Sequence, residues 1–129
     1  QFPTLNHYIQ YTLQGHWLPY IHHAQAWGRQ HPKHYLEIRY ETFHQQPQVV
    51  IQQMLDFLEV DATDAAIDQC QTAGSFFTLA QGRQRGEEDT QSFFRKGIIG
   101  DWKNHFDKQN IETFMQIGGP MLKELGYEI

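Results

Sequence analysis

Apolar residues recur at helical spacing along most of this chain, and at strand spacing in one place. Leu5, Tyr8, Ile9 and Leu13 lie on one stripe, with Thr4 placed to cap it and Gly15 to stop it, which predicts a helix over 4–13. Trp17, Ile21, Ala24 and Trp27 predict a second helix, in which Pro19 is tolerated if it falls in the first turn. Pro47 opens a third, with Val50, Ile51, Met54, Leu55 and Leu58 along one face. Asp61 or Thr63 is placed to cap a fourth through Ala66, Ile67 and Cys70, ending at Gly74. Asp107 is placed to cap a fifth carrying Ile111, Phe114 and Met115; Gly118-Gly119-Pro120 predicts a break, and Met121, Leu122 and Leu125 a short last helix closed by Gly126. Tyr35–Glu41 instead alternates, with Leu36, Ile38 and Tyr40 on one face after a His31-Pro32 turn, and predicts one main strand over Tyr35–Tyr40. The expectation is a single, mostly α-helical domain over 1–129. Its lone strand would expose two edges, so self-association into a homo-oligomer is expected.

Composition narrows the class. With 129 residues, 40% of them hydrophobic and 14% aromatic, the chain is long enough for one packed core. Fifteen acidic against ten basic residues give a formal charge of −5, which argues against a nucleic-acid surface. The single Cys70 has no partner for an internal disulfide, as suits a reducing compartment. There is no run of about 18 apolar residues and no charged-then-apolar start, so neither a membrane span nor a signal peptide is expected, and a cytoplasmic protein is. The chain begins at Gln1 rather than Met, as a piece of a longer chain or a processed one would.

Seven histidines fall within the first third, His7, His16, His22, His23, His31, His34 and His44. Adjacent His22 and His23 point about 100° apart on a helix, and no carboxylate stands at ligand spacing beside them. They are read as polar surface or packing residues, with no metal expected. Gly82-Arg83-Gln84-Arg85-Gly86-Glu87-Glu88-Asp89-Thr90 is polar, charged and glycine-punctuated, which predicts a mobile loop.

The chemistry concentrates in Phe93-Phe94-Arg95-Lys96-Gly97-Ile98-Ile99-Gly100-Asp101-Trp102-Lys103-Asn104-His105-Phe106. Arg95 offers a planar fork of donors suited to a phosphate, Lys96 adds a compact charge, and Gly97 and Gly100 let backbone N–H groups approach an anion. Asp101 is placed to cap a helix starting near Trp102. The bland alternative, a solvated basic turn with core aromatics, is open on these residues alone.

The whole string closely resembles the C-terminal signature of the cytosolic-type sulfotransferases: an aromatic, Arg-Lys-Gly, two apolar residues, then Gly-Asp-Trp-Lys-Asn and a Phe shortly after. The resemblance extends from Gly15 to Tyr127, taking in His23, Trp27 and the Leu-Gly-Tyr ending, and corresponds to about the C-terminal half of such an enzyme. It implies an α/β fold, the C-terminal portion of a P-loop-like domain. It further implies that Arg95, Lys96 and Gly97, with Phe93, bind the 3′-phosphate end of 3′-phosphoadenosine 5′-phosphosulfate (PAPS), that Tyr40 contacts its adenine, and that Ser75 and Phe76 contact its adenine and phosphate ends. Thr42 replaces the family's usual Asp, and Gly74 stands at a position that is usually Thr. In the family's dimer motif Lys103 and Glu112 fit, while Asp107-Lys108 stands where Thr-Val is usual. The family's flexible segment over cofactor and acceptor corresponds to Gly82–Thr90.

No Gly-x-x-x-x-Gly-Lys-Ser/Thr loop occurs in these residues, and no histidine here is assigned the family's catalytic role. The resemblance therefore implies the PAPS-binding part of an enzyme that passes a sulfuryl group to a small-molecule hydroxyl or amine, with no catalytic residue of its own and no activity alone. A non-enzymatic helical interaction module and another phosphate-ester-binding protein remain as rivals.

Overall fold

The computed structural model describes residues 2–128, and their contacts divide the chain into two compact units. One comprises Gln1–Pro32 with Asp101–Ile129, the other Lys33–Gly100.

In the first unit, α1 (Leu5–Thr12) begins where predicted, because Thr4 is extended and its hydroxyl accepts the His7 N–H at 3.3 Å. Gly15 does not end it. The backbone passes into a π-turn over Leu13–Trp17, in which Leu18 N–H bonds Leu13 O, and then into α2 (Leu18–Gln30) with Pro19 in the first turn. The left-handed φ by which glycine commonly ends a helix is not adopted by Gly15.

The last helix, α7 (Lys108–Glu124), also outruns its sequence reading: it continues through Gly118-Gly119-Pro120 without a break. Pro120 forgoes one helical bond, but the two glycines are buried. A Cβ at Gly118 would lie 3.3 Å from Phe114 Cε1 of the same helix and at an ordinary 3.7 Å from Leu13 Cδ1 of the π-turn. Burial of Ile9, Leu13 and Met121 offsets the missing bond. Asp107 and Asn110 close the start of α7 with a reciprocal cap, Asn110 N–H donating to Asp107 at 2.8 Å and Asp107 N–H to Asn110 at 3.1 Å. The buried Asn110 amide also donates to Asn6 Oδ1 at 2.7 Å, tying α7 to α1. Asp107→Ala is therefore expected to cost about 1 kcal/mol, seen as a lower denaturant midpoint at unchanged slope. An unchanged midpoint would make the cap decorative.

The second unit holds α3 (Tyr40–Gln45), α4 (Pro47–Phe57), α5 (Asp64–Ala73) and the one-turn α6 (Phe76–Leu79). Pro47 opens α4, and Thr63, rather than Asp61, caps α5 by accepting Ala66 N–H at 3.2 Å. Val50, Ile51, Ile67, Phe76 and Ala80 are its buried apolar side chains. Cys70 is a free, exposed thiol on α5.

The expected strand at Tyr35–Tyr40 is not formed. Pro32–His34 make a 3-10 turn, the backbone is extended at Arg39, and Tyr40 already begins α3. An extended segment becomes a strand only by pairing, and among the described residues no strand forms beside it. Nor does burial follow the alternation, since Ile38 and Tyr40 are both exposed. The free strand edges from which self-association was expected are thus absent among the described residues.

Candidate functional site

Every residue that the resemblance assigns to PAPS lies in the Lys33–Gly100 unit. Arg95 and Lys96 converge on one carboxylate: Arg95 Nη1 pairs with Glu88 Oε1, and Lys96 Nζ lies 3.8 Å from Glu88 Oε2. Gly97 follows with φ of 65°, a left-handed turn that glycine adopts without strain. Its Cα rests on the buried Phe76 ring so closely that a Cβ would fall 2.3 Å from Phe76 Cδ2. Two cations, a bare backbone turn and a buried ring thus meet at one place.

The 82–90 loop, whose composition predicted mobility, has definite partners in this unit. Gly86 N–H donates to Lys96 O and Asp89 N–H to Arg95 O, both at 2.9 Å. The Arg83 guanidinium donates to Phe94 O at 2.7 Å and Arg95 O at 3.1 Å, and lies 5.6 Å from the Phe76 ring centroid. Neither Arg83 nor Glu88 is marked by sequence alone, because nothing in a run of charges tells which member folds back on the backbone.

The other implicated residues are placed differently. Ser75 caps α6, accepting Thr78 N–H at 3.2 Å and donating to Thr78 Oγ1 at 2.9 Å. Tyr40 packs against His44 with the rings tilted by 56° and their centroids 4.6 Å apart, its hydroxyl 2.8 Å from His44 Nε2. Phe93 is 93% exposed and meets the Phe94 ring edge-on, so the structure does not bring it onto the Phe76 side. Asp101, in the other unit, begins a 3-10 turn over Asp101–Asn104 and accepts from Asn104 Nδ2 at 3.0 Å.

His44 was unassigned in the sequence beyond its place among the histidines, and Arg85 approaches it from the loop, Nη1 lying 2.8 Å from Nε2 and also against Nδ1. Arg85 can only donate, so a neutral His44 accepts from it on whichever ring nitrogen is unprotonated, and the tautomer decides whether Tyr40 donates or accepts. Burial lowers the His44 pKa from its ordinary 6.5, Arg85 lowers it further, and Glu41 opposes them. The unfolded chain then binds the extra proton first, so this contribution is complete above about pH 6.5 and is lost as pH falls through the lowered value. The denaturant midpoint of the wild type should drop more between pH 7 and 5 than that of His44→Gln; parallel drops would dismiss the cluster as a pH-sensitive contact. Among the described residues no group of three or more His, Cys, Asp or Glu side chains is placed to hold a metal ion, and no helix is long and apolar enough to cross a membrane.

Comparison with known proteins gives the family. The sulfotransferase-domain family model matches residues 4–126. The chain belongs to the sulfotransferase family. Among its relatives are cytosolic sulfotransferase 9 of Arabidopsis thaliana, 28% identical over 89% of this chain and 36% of that protein, and human sulfotransferase 1C2, 25% identical over 88% and 43%. Sulfotransferase 6B1 of Danio rerio is 29% identical over 71% of this chain and 32% of its own. The chain thus spans well under half the length of these relatives. No solved structure matches it. Family membership implies the P-loop-like fold for the sulfotransferase domain, to which the described residues contribute helices and loops.

Proposed function

We propose that the Lys33–Gly100 unit carries the 3′-phosphate- and adenosine-binding part of a sulfotransferase that moves a sulfuryl group from PAPS to a small hydroxyl or amine acceptor, in a cytoplasmic setting like that in its relatives' names. The observation that carries this reading is the convergence of Arg95 and Lys96 on the Glu88 carboxylate beside a Gly97 that has room for no side chain. A carboxylate and a phosphate offer the same kind of paired anionic oxygens, so the residues present fit the cofactor's 3′-phosphate.

Arg95 and Lys96 would hold the phosphate, Gly97 would offer its backbone, and Tyr40, Ser75 and Phe76 would serve the adenosine side. When bound, PAPS supplies the sulfuryl group and a phosphate leaving group. The chain's own part is to bind and orient that donor and to offset its negative charge. Because the 129 residues contain no phosphosulfate loop of the Gly-x-x-x-x-Gly-Lys-Ser/Thr kind and no assigned base, the chain by itself is expected to transfer nothing. PAPS-dependent sulfation of a phenol by the pure chain would contradict that.

The direct test is ligand protection. Adenosine 3′,5′-bisphosphate should raise the melting temperature of the chain, and 5′-AMP at equal concentration should raise it less. The rival reading as a helical interaction module draws on the exposed rings of Phe2, Tyr8 and Tyr11, packed at 5.3 and 5.0 Å around Phe2, and expects protection by neither nucleotide.

A further inference from the structure

One side chain in the 82–90 loop bonds the backbone at the start of the phosphate clasp. Arg83 Nη1 donates to Glu87 O at 3.0 Å and to Arg95 O at 3.1 Å, while Nη2 donates to Phe94 O at 2.7 Å. The same guanidinium lies over Phe76, the ring on which Gly97 rests. It therefore contacts the backbone on both sides of the Arg95 Cα and the support beneath Gly97.

We infer that Arg83 is a positioning residue for the 3′-phosphate clasp, fixing the backbone from which Arg95, Lys96 and Gly97 present their donors. This inference rests on the function proposed above. Consecutive carbonyls of a regular strand point to opposite sides, yet here the carbonyls of Phe94 and Arg95 both reach one guanidinium, so the bonds hold Arg95 out of a regular extended conformation. The arrangement also engages carbonyl oxygens that would oppose a phosphate. Arg95 O accepts from Arg83 and from Asp89 N–H, and Lys96 O accepts from Gly86 N–H. Lysine cannot replace this set, because bridging several carbonyl acceptors in a fixed geometry needs a planar fork rather than a point charge.

The test compares Arg83→Ala and Arg83→Lys with wild type in two measurements on the 129-residue chain. The first is amide hydrogen exchange. Gly86 and Asp89 N–H, whose acceptors are the Lys96 and Arg95 carbonyls, should exchange about tenfold faster in both variants, while amides of the α4 and α5 core stay unchanged. The second is calorimetric titration. The wild type's preference for adenosine 3′,5′-bisphosphate over 5′-AMP should shrink about tenfold in both variants, with 5′-AMP affinity held, because loss of one well-placed charged hydrogen bond is of that size. Full rescue by lysine would reduce Arg83 to a distant charge and overturn the inference. Unchanged exchange at Gly86 and Asp89, or a parallel fall for both nucleotides, would overturn it too. If exchange changes as expected but the wild type shows no preference for the bisphosphate, it is the phosphate-binding reading that fails, and the positioning role falls with it.

Discussion

Gly97→Ala is expected to destabilise the Lys33–Gly100 unit by about 2–5 kcal/mol and to abolish its preference for a 3′-phosphate. The left-handed φ of 65° costs a non-glycine residue about 1–2 kcal/mol before any contact is considered. The new Cβ would also meet Phe76 at 2.3, 2.5 and 2.8 Å, against a ring that is buried and has no room to retreat. Overpacking of that kind adds about 1–3 kcal/mol. Two other glycines separate the terms. Gly100 has φ of 76° with nothing within 4 Å of its hypothetical Cβ, so Gly100→Ala should show the backbone cost alone, about 1–2 kcal/mol. Gly15 lies in the π-turn with the same open space and no left-handed φ, so Gly15→Ala should be neutral or gain up to about 1 kcal/mol. Urea unfolding of the three variants gives the ordering. If Gly97→Ala were no worse than Gly100→Ala, the Phe76 contact would not be what makes glycine necessary there.

What the sequence declares, and what it withholds, divides along range of interaction. Caps are local, so Thr4, Thr63 and Asp107 were legible from the polar residue ahead of an apolar stripe, as was the proline opening α4. The breakers misled because they are local signals that packing overrides. Gly118 and Gly119 read as a stop, yet both are buried inside an unbroken α7, and Gly15 read as a cap but has no left-handed φ and sits within the π-turn. The Tyr35–Tyr40 alternation was a real pattern with no partner to complete it, because strand pairing is supplied from elsewhere in space. The same division runs through the candidate site. Arg95-Lys96-Gly97 announced anion chemistry by type and order alone. Its union with Phe76, and the folding back of Arg83 and Glu88, join residues up to 21 positions apart, and no periodicity encodes that. The Arg85–His44 contact spans 41 positions and was likewise invisible.

Arg95→Ala should lower affinity for adenosine 3′,5′-bisphosphate by about ten- to a hundredfold, since hydrogen bonds to charged groups are each worth about 1.5–3 kcal/mol. Arg95→Lys keeps the charge and loses the fork, so it should recover only part of the binding. The pair that Arg95 makes with Glu88 is partly exposed, with side-chain accessibilities of 37% and 34%, and pairs of that kind contribute no more than about 1 kcal/mol to stability. The affinity loss therefore cannot be charged to unfolding. Glu88 supplies the opposite test. Its carboxylate already occupies the oxygen-binding side of Arg95 and Lys96, so an incoming phosphate must displace a like charge. Glu88→Gln removes that competitor, and a unit charge about 4 Å away is worth about 1 kcal/mol even in water, so bisphosphate affinity should rise about fivefold. Added salt should weaken the wild type more than Arg95→Ala, because part of the lost term is Coulombic and screened. Calorimetric titration of the bisphosphate and of 5′-AMP against the four proteins settles the matter. Opposite signs for Arg95→Ala and Glu88→Gln, confined to the nucleotide bearing a 3′-phosphate, identify one anion-binding site shared by carboxylate and phosphate. Equal affinity for both nucleotides, or a loss on Glu88→Gln, would mean that the ion pair is part of the fold rather than a placeholder for the phosphate.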